Sequence, residues 1–286
     1  MSQGKVSLTK EVSLYLLLTF SFSSIFYYWI SVSDNGWLTF GLMWCPGVAS
    51  IITYLLINKT IKGFYFGFGK ISYLFISFFI PIVSLIIVYG AIWVTELGSF
   101  KGFESNFMTK LSFIPMMLLI LEGSFYSGRS ALGEEIGWRG YLTPRLLENY
   151  TPNQVSLFVG IIWSVWHFPL ILTGNYGTGS PIFFQLFCFT LMLTGNTYIY
   201  TWFRIKSGSL WTGCFIHTSH NLFIFHVFND LTKSNEITPY FIDETGAIFA
   251  IYGLILILAF QRFGWDWPSG LKRHITHMSP SRVNRH

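Results

Sequence analysis

SYLFISFFIPIVSLIIVYGAIWVT, residues 72–95, runs without a single Asp, Glu, Lys, Arg or His. As a helix it would rise about 36 Å, and crossing a bilayer interior takes about 20 mostly apolar residues. Seven further apolar runs are centred near residues 12–32, 38–58, 111–131, 155–174, 181–203, 209–228 and 244–261. Composition agrees with this pattern. Hydrophobic residues make up 52% of the 286-residue chain, aromatics 20% and charged residues 11%, with a mean hydropathy of +0.50. A soluble domain carries roughly 25% charged residues. No stretch between the runs is long enough for a core of its own, and no internal repeat is visible. The expected fold is an all-α integral membrane protein, a single polytopic bundle of about eight transmembrane helices.

The charges are distributed by loop. The net charge is +5. Lys5 and Lys10 precede the first run. Lys59, Lys62 and Lys70 follow the second, Arg139 and Arg145 the fourth, and Arg204 and Lys206 the sixth. The tail carries Arg262, Lys272, Arg273, Arg282 and Arg285. The alternate loops are poorer in basic residues. The first holds Asp34, the third a balanced Lys101/Glu104/Lys110, the fifth no Lys or Arg, and the seventh Asp230, Lys233, Glu236 and Asp243. The positive-inside rule then places both termini in the cytoplasm. The basic residues are topology signals with a secondary affinity for anionic membrane lipid, and no nucleic acid is expected. Cys45, Cys188 and Cys214 fall inside apolar runs without a CxxC pair and read as packing residues. The first run lacks a small-residue cleavage site and is expected to remain as a span.

Three polar clusters interrupt this background: Gly133-Glu-Glu-Ile-Gly-Trp-Arg139, Trp163-Ser-Val-Trp-His167 and His217-Thr-Ser-His-Asn221. An ionisable residue inside a membrane segment is costly and marks function by default. On a helix, Glu135 and Arg139 stand at i and i+4, the favourable order for an ion pair. Glu134 is rotated about 100° away from its neighbour and cannot share that arginine in the same way. Glu134 is then free to act as a general base. Gly133, Gly137 and Gly140 form a small-residue stripe suited to close helix approach. The alternative places these charges at the cytoplasmic surface, where straight-helix counting puts Glu134. His167 has Trp163 one turn before it and Pro169 two residues after. Its alternative is an interfacial histidine in an aromatic belt. His217 and Asn221 share a helical face, while His220 lies on another part of the helix. Their alternative is hydrogen bonding that only joins helices. One shared site explains all three clusters together.

In order and spacing the clusters resemble the CAAX-processing and bacteriocin-processing intramembrane proteases, also called the Abi family. That family carries Glu-Glu-x-x-x-Arg, then Phe-x-x-x-His, then His-x-x-x-Asn. Here these read Glu134-Glu135-x-x-x-Arg139, Trp163-x-x-x-His167 and His217-x-x-x-Asn221. The likeness covers about residues 110–228, with Trp163 standing where phenylalanine is usual. The resemblance implies an eight-helix glutamate-type endopeptidase. Glu134 would activate water, His167 would help hold it, and His217 and Asn221 would stabilise the oxyanion. Glu135 and Arg139 would support them. The family is traditionally labelled metalloprotease. Glu134, His167 and His217 would be the zinc ligands, but the chain has no His-Glu-x-x-His, and metal-independent catalysis is favoured.

The expected organisation is three generic helices in 1–110, a catalytic core in 111–228, and a last helix with a basic cytoplasmic tail in 229–286. The expected partner is a peptide or protein substrate, membrane-associated or lipid-modified. The expected location is the plasma (inner) membrane, with the active site toward the cytoplasm between the fourth, fifth and seventh spans. The competing reading is a non-enzymatic scaffold or bacteriocin-immunity protein of the same fold. A transporter fits less well because repeated halves are absent. A Gly-x-Ser-x-Gly motif and paired intramembrane aspartates are absent too.

Overall fold

The computed structural model describes residues 8–33, 35–58, 64, 66–102 and 113–264. The basic tail from residue 265 and the lysines at 5, 59 and 62 lie outside them. Long helices occupy the expected positions: α1 Leu8–Val32, α2 Gly36–Asn58, α3 Ile71–Val94 and α4 Phe113–Glu135. The chain continues through a π-helical segment, Ile136–Leu142, into the short α5, Thr143–Leu146. Then come α6 Pro152–Leu172, α7 Ile182–Ser207 and α8 Trp211–Phe223, which runs on as a π-helical segment over Ile224–Phe228, and finally α9 Ala247–Phe263. Two short strands, β1 Ser99–Phe100 and β2 Thr232–Lys233, pair antiparallel.

Among the described residues, five helices are long and apolar enough to cross a membrane: Leu8–Val32, Gly36–Ile57, Ile71–Val94, Pro152–Leu172 and Ile182–Ser207. Large apolar side chains stand outward along them, such as Phe75, Phe79, Ile86 and Ile87 on α3. Such a surface is favourable in lipid and costly in water. The protein is an all-α integral membrane protein. The other three expected spans are helical but differ in kind. α4 carries Glu122, Arg129, Glu134 and Glu135, α8 changes to π geometry after Phe223, and α9 is a shorter apolar helix.

Local chemistry sets several boundaries. Thr151 caps α6 through a capping box with Gln154, and Pro152 supplies the first helical residue. α7 ends at Gly208, in the left-handed conformation at φ 69°.

Helices approach closely where side chains are small. α2 packs along α4 and the following π segment, α6 on α7, α7 on α9, and α8 on both α3 and α4. A Cβ at Gly133 would lie 2.7 Å from the Met43 carbonyl oxygen, and one at Gly137 would lie 2.6 Å from the Pro46 carbonyl carbon. The glycine stripe is therefore the α2 contact. Gly140 is not part of it, since its nearest neighbour, a Phe64 ring carbon, would be 3.5 Å away. Polar links join the layers: Trp44 Nε1 donates to the Arg129 carbonyl at 3.0 Å, Trp166 Nε1 to Ser23 Oγ at 2.8 Å, and Ser219 Oγ to the Phe78 carbonyl at 2.6 Å.

Gly137→Ala forces backbone atoms apart and should lower stability by about 1–3 kcal/mol, the usual range for overpacking. Gly140→Ala should cost far less. Thermal unfolding of both variants in one detergent compares them directly, and equal losses would refute the assignment of the stripe to α2.

Candidate functional site

Glu134 and Glu135 close α4, where the chain turns from α to π geometry. Both are buried, at 2% and 0% exposure, as is Arg139 at 1%. The surface-charge alternative is thereby corrected. The chain does not stop at Glu135 but continues through the π segment packed against α2, and these groups are enclosed by protein.

The two carboxylates have different partners. Arg139 Nη1 donates to Glu135 Oε1 at 3.1 Å, the expected i,i+4 pair. The Arg139 guanidinium carbon lies 4.1 Å from the Trp163 ring centre and 3.9 Å from that of Tyr200. A cation held between two desolvated rings gains on the order of 2 kcal/mol from each. Arg204 Nε donates to the Arg139 carbonyl at 2.8 Å, serving an oxygen of the π segment. Glu135 extends into a notch on α8, where a Cβ on Gly213 would collide with its carboxylate.

Glu134 faces the other way. Its Oε2 accepts from Trp163 Nε1 at 2.7 Å, and its Oε1 lies 3.9 Å from His217 Nε2. His217 Nδ1 is 3.1 Å from Glu135 Oε1. His217 thus bridges the two acids, one on each ring nitrogen. A carboxylate that accepts at Nδ1 fixes the ring orientation and directs Nε2 at Glu134 and the space beside it. His167 Nδ1 is 3.0 Å from the Trp163 carbonyl. A carbonyl only accepts, so Nδ1 carries the proton and Nε2 presents a lone pair.

Glu134, Trp163, His167, His217 and Asn221 all line one cavity of about 280 Å³. Glu135 and Arg139 are absent from its lining and stand behind it. The expected walls, the fourth, fifth and seventh spans, are joined by α7, which contributes Asn196 and Tyr200. From Glu134 the cavity runs toward the α1–α2 and α6–α7 connections, reaching Asn35 and Asn175.

Three features escaped the sequence reading. Trp163 is more than a wall, because its indole N–H holds Glu134 and a phenylalanine cannot do this. His220, assigned to another part of its helix, also lines the cavity and pairs with Glu244 Oε1 at 2.6 Å. Glu244 precedes α9, and no local pattern connects it with His220. The π geometry after Glu135 also has no sequence signal.

Among the described residues no group of three or more His, Cys, Asp or Glu is arranged to hold a metal ion. Glu134, His167 and His217 share the cavity. Each histidine uses Nδ1 outside it, His167 on the Trp163 carbonyl and His217 on Glu135, which leaves both Nε2 atoms available.

Residues 116–223 match the family model of type II CAAX prenyl endopeptidases, Rce1-like. The matched stretch lies inside the expected core and holds all three motifs. In this stretch the chain is similar to the CAAX-processing proteases. A curated relative, CAAX prenyl protease 2 of Methanococcus maripaludis, is 28% identical over 170 residues. That alignment covers 57% of this chain and 58% of the relative, so the chain spans a little over half the length of that protein.

Two outcomes follow from this geometry. Trp163→Phe keeps a ring against His217 and Arg139 but removes the N–H on Glu134. A hydrogen bond to a charged group is worth about 1.5–3 kcal/mol, so turnover should fall roughly 10- to 150-fold. Kinetics alongside a melting curve separate this effect from unfolding. The second outcome concerns Glu244, whose carboxyl is pushed up to about 8 by burial, with Glu134 adding to the effect. Raised above its ordinary 4.5, it contributes stability that is complete below pH 4.5 and lost as pH rises through about 8. Glu244→Gln should flatten the pH dependence of the melting temperature across that window. An unchanged slope would show that Glu244 is not its source.

Proposed function

We propose that this chain is an intramembrane endopeptidase of the glutamate type, hydrolysing a peptide bond of a membrane-associated or lipid-modified peptide. The observation that carries the reading is the unequal setting of two adjacent carboxylates. Glu135 is committed to Arg139 and His217, whereas Glu134 lines the cavity beside both histidines.

In this reading His167 Nε2 holds the water that Glu134 activates, since both residues line the cavity. Glu134 takes one of its protons as the oxygen attacks the substrate carbonyl carbon. The carbonyl π electrons move onto oxygen, giving a tetrahedral oxyanion. Asn221 Nδ2 and His217 Nε2, the latter in doubly protonated form, donate to that oxygen. When the intermediate collapses, the C–N bond breaks and Glu134 delivers its proton to the leaving nitrogen. The products are a carboxylic acid and an amine. Glu135 and Arg139 act through His217, as positioning residues. No step passes through a metal.

The test is cleavage of a peptide library by the purified full chain in nanodiscs, with prenylated and unmodified C-terminal peptides. Glu134→Gln should lower the rate by about 10²–10⁴, the range for loss of a general base, and leave the melting temperature unmoved. Glu135→Gln leaves Arg139 buried without its carboxylate, so it should cost about 3–5 kcal/mol of stability. A strong chelator should leave activity intact. If Glu135→Gln alone abolishes cleavage at unchanged stability, the two roles are reversed. If chelation abolishes activity and zinc restores it, metal-independent catalysis is excluded.

A further inference from the structure

The bundle has two chemically different ends. One gathers the N-termini of α1, α3, α6 and α8 with the C-termini of α2, α7 and α9. Arg145 Nε meets Glu11 Oε2 there at 3.3 Å, and Trp211 Nε1 donates to the Phe66 carbonyl at 2.7 Å. Its described charges are mostly basic: Lys10, Lys70, Arg145, Arg204, Lys206 and Arg262 against Glu11 and Glu148. In sequence, Lys59, Lys62 and the tail belong to connections of this end.

The other end is built from the α1–α2, α3–α4, α6–α7 and α8–α9 connections. The β1–β2 pair joins two of them, and Thr178 Oγ1 donates to the Pro239 carbonyl at 2.6 Å to join a third. Here the described charges are mostly acidic: Glu96, Asp230, Glu236, Asp243 and Glu244 against Lys101 and Lys233.

The cavity reaches this second end. Ser33, Asn35, Gly36, Asn175 and Tyr176 line it, and Asn35 and Asn175 are exposed. No described residue of the α2–α3 or α7–α8 connection lines it. Toward the basic end its lining includes Ile216, Tyr200 and Glu134. Behind that residue lie Glu135, Arg139 and Arg204, at 0%, 1% and 1% exposure.

Basic connections stay in the cytoplasm. We propose that the cavity opens on the extracytoplasmic side of the membrane. Its substrate is then a peptide segment presented from that side, and its mouth offers neutral asparagine and tyrosine side chains. This reverses the expectation of a cytoplasm-facing site, and it rests on the cleavage reading only for the word substrate. A cytosolic chain terminus would meet the closed Glu135–Arg139–Arg204 layer instead.

Orientation is tested without activity. The native cysteines at 45, 188 and 214 are all buried, so background labelling is low. Asn175→Cys and Thr173→Cys report the cavity end. Gly67→Cys, with open space around it and every charge retained, reports the basic end. The full chain is expressed in a bacterial inner membrane and treated with a membrane-impermeant maleimide, before and after permeabilisation. At least one of the first two should label in intact cells, and Gly67→Cys only after permeabilisation. The reverse pattern, labelling at both ends in intact cells, or labelling of the cavity end only after permeabilisation, overturns the proposal. Failure of both cavity-end cysteines to react in permeabilised cells overturns it too, since the mouth would then not be open. An impermeant quenched peptide added to intact cells and to inside-out vesicles, wild type against Glu134→Gln, separates the two readings. Glu134-dependent cleavage in vesicles alone overturns the orientation. Cleavage in neither, nor in detergent, counts against the peptidase reading and leaves the labelling to decide the orientation.

Discussion

Burying Glu135 and Arg139 side by side is the constraint to which the rest of the site conforms. Moving either charge alone from water into a low-dielectric interior costs several kcal/mol, and their attraction compensates only with good geometry and further partners. The partners come from three other helices. Trp163 of α6 and Tyr200 of α7 sandwich the guanidinium, α8 supplies His217 and the Gly213 notch, and Arg204 of α7 binds the Arg139 carbonyl. The π segment is part of the same solution. Its i→i+5 bonding re-aims backbone groups, and such segments are frequent at functional sites. No single helix could solvate this pair, so the pair holds the helices in register.

The division of labour between adjacent glutamates follows from that packing. Successive residues on a helix face different neighbours, so one backbone turn delivers two carboxylates into two environments. One is consumed by structure. The other meets an indole N–H, an imidazole and an open cavity. His217 touches both acids, and any change at Glu135 is therefore transmitted to the atoms around Glu134. An extra glutamate in the motif makes sense as the holder of the histidine that faces its twin.

Much of this was legible in the sequence, for identifiable reasons. The eight apolar runs coincide with helical segments because length and apolarity are local properties. The Glu135–Arg139 pair and the shared face of His217 and Asn221 depend only on helical spacing. The Gly133/Gly137 stripe announced a close helix contact but could not name α2. What stayed hidden depends on pairs far apart in the chain. His220 and Glu244 meet through the packing of α8 against the α9 entry. The indole of Trp163 finds Glu134 across 29 positions. The burial of Glu134 also stayed hidden, because it comes from other helices packing around the point where the chain passes into π geometry.

Two independent determinants combine to give the site its direction. Insertion responds to the charges of connecting loops, whatever the interior contains. Access responds to interior packing, whatever the loops carry. In this chain the basic connections and the sealed Glu135–Arg139–Arg204 layer fall at the same end, and the uncharged mouth falls at the other. A cavity open at the basic end would need that layer broken, which would strip Arg139 of its carboxylate or of its rings. In the proposed orientation, the cluster that stabilises the bundle lies opposite the side from which the cavity is entered.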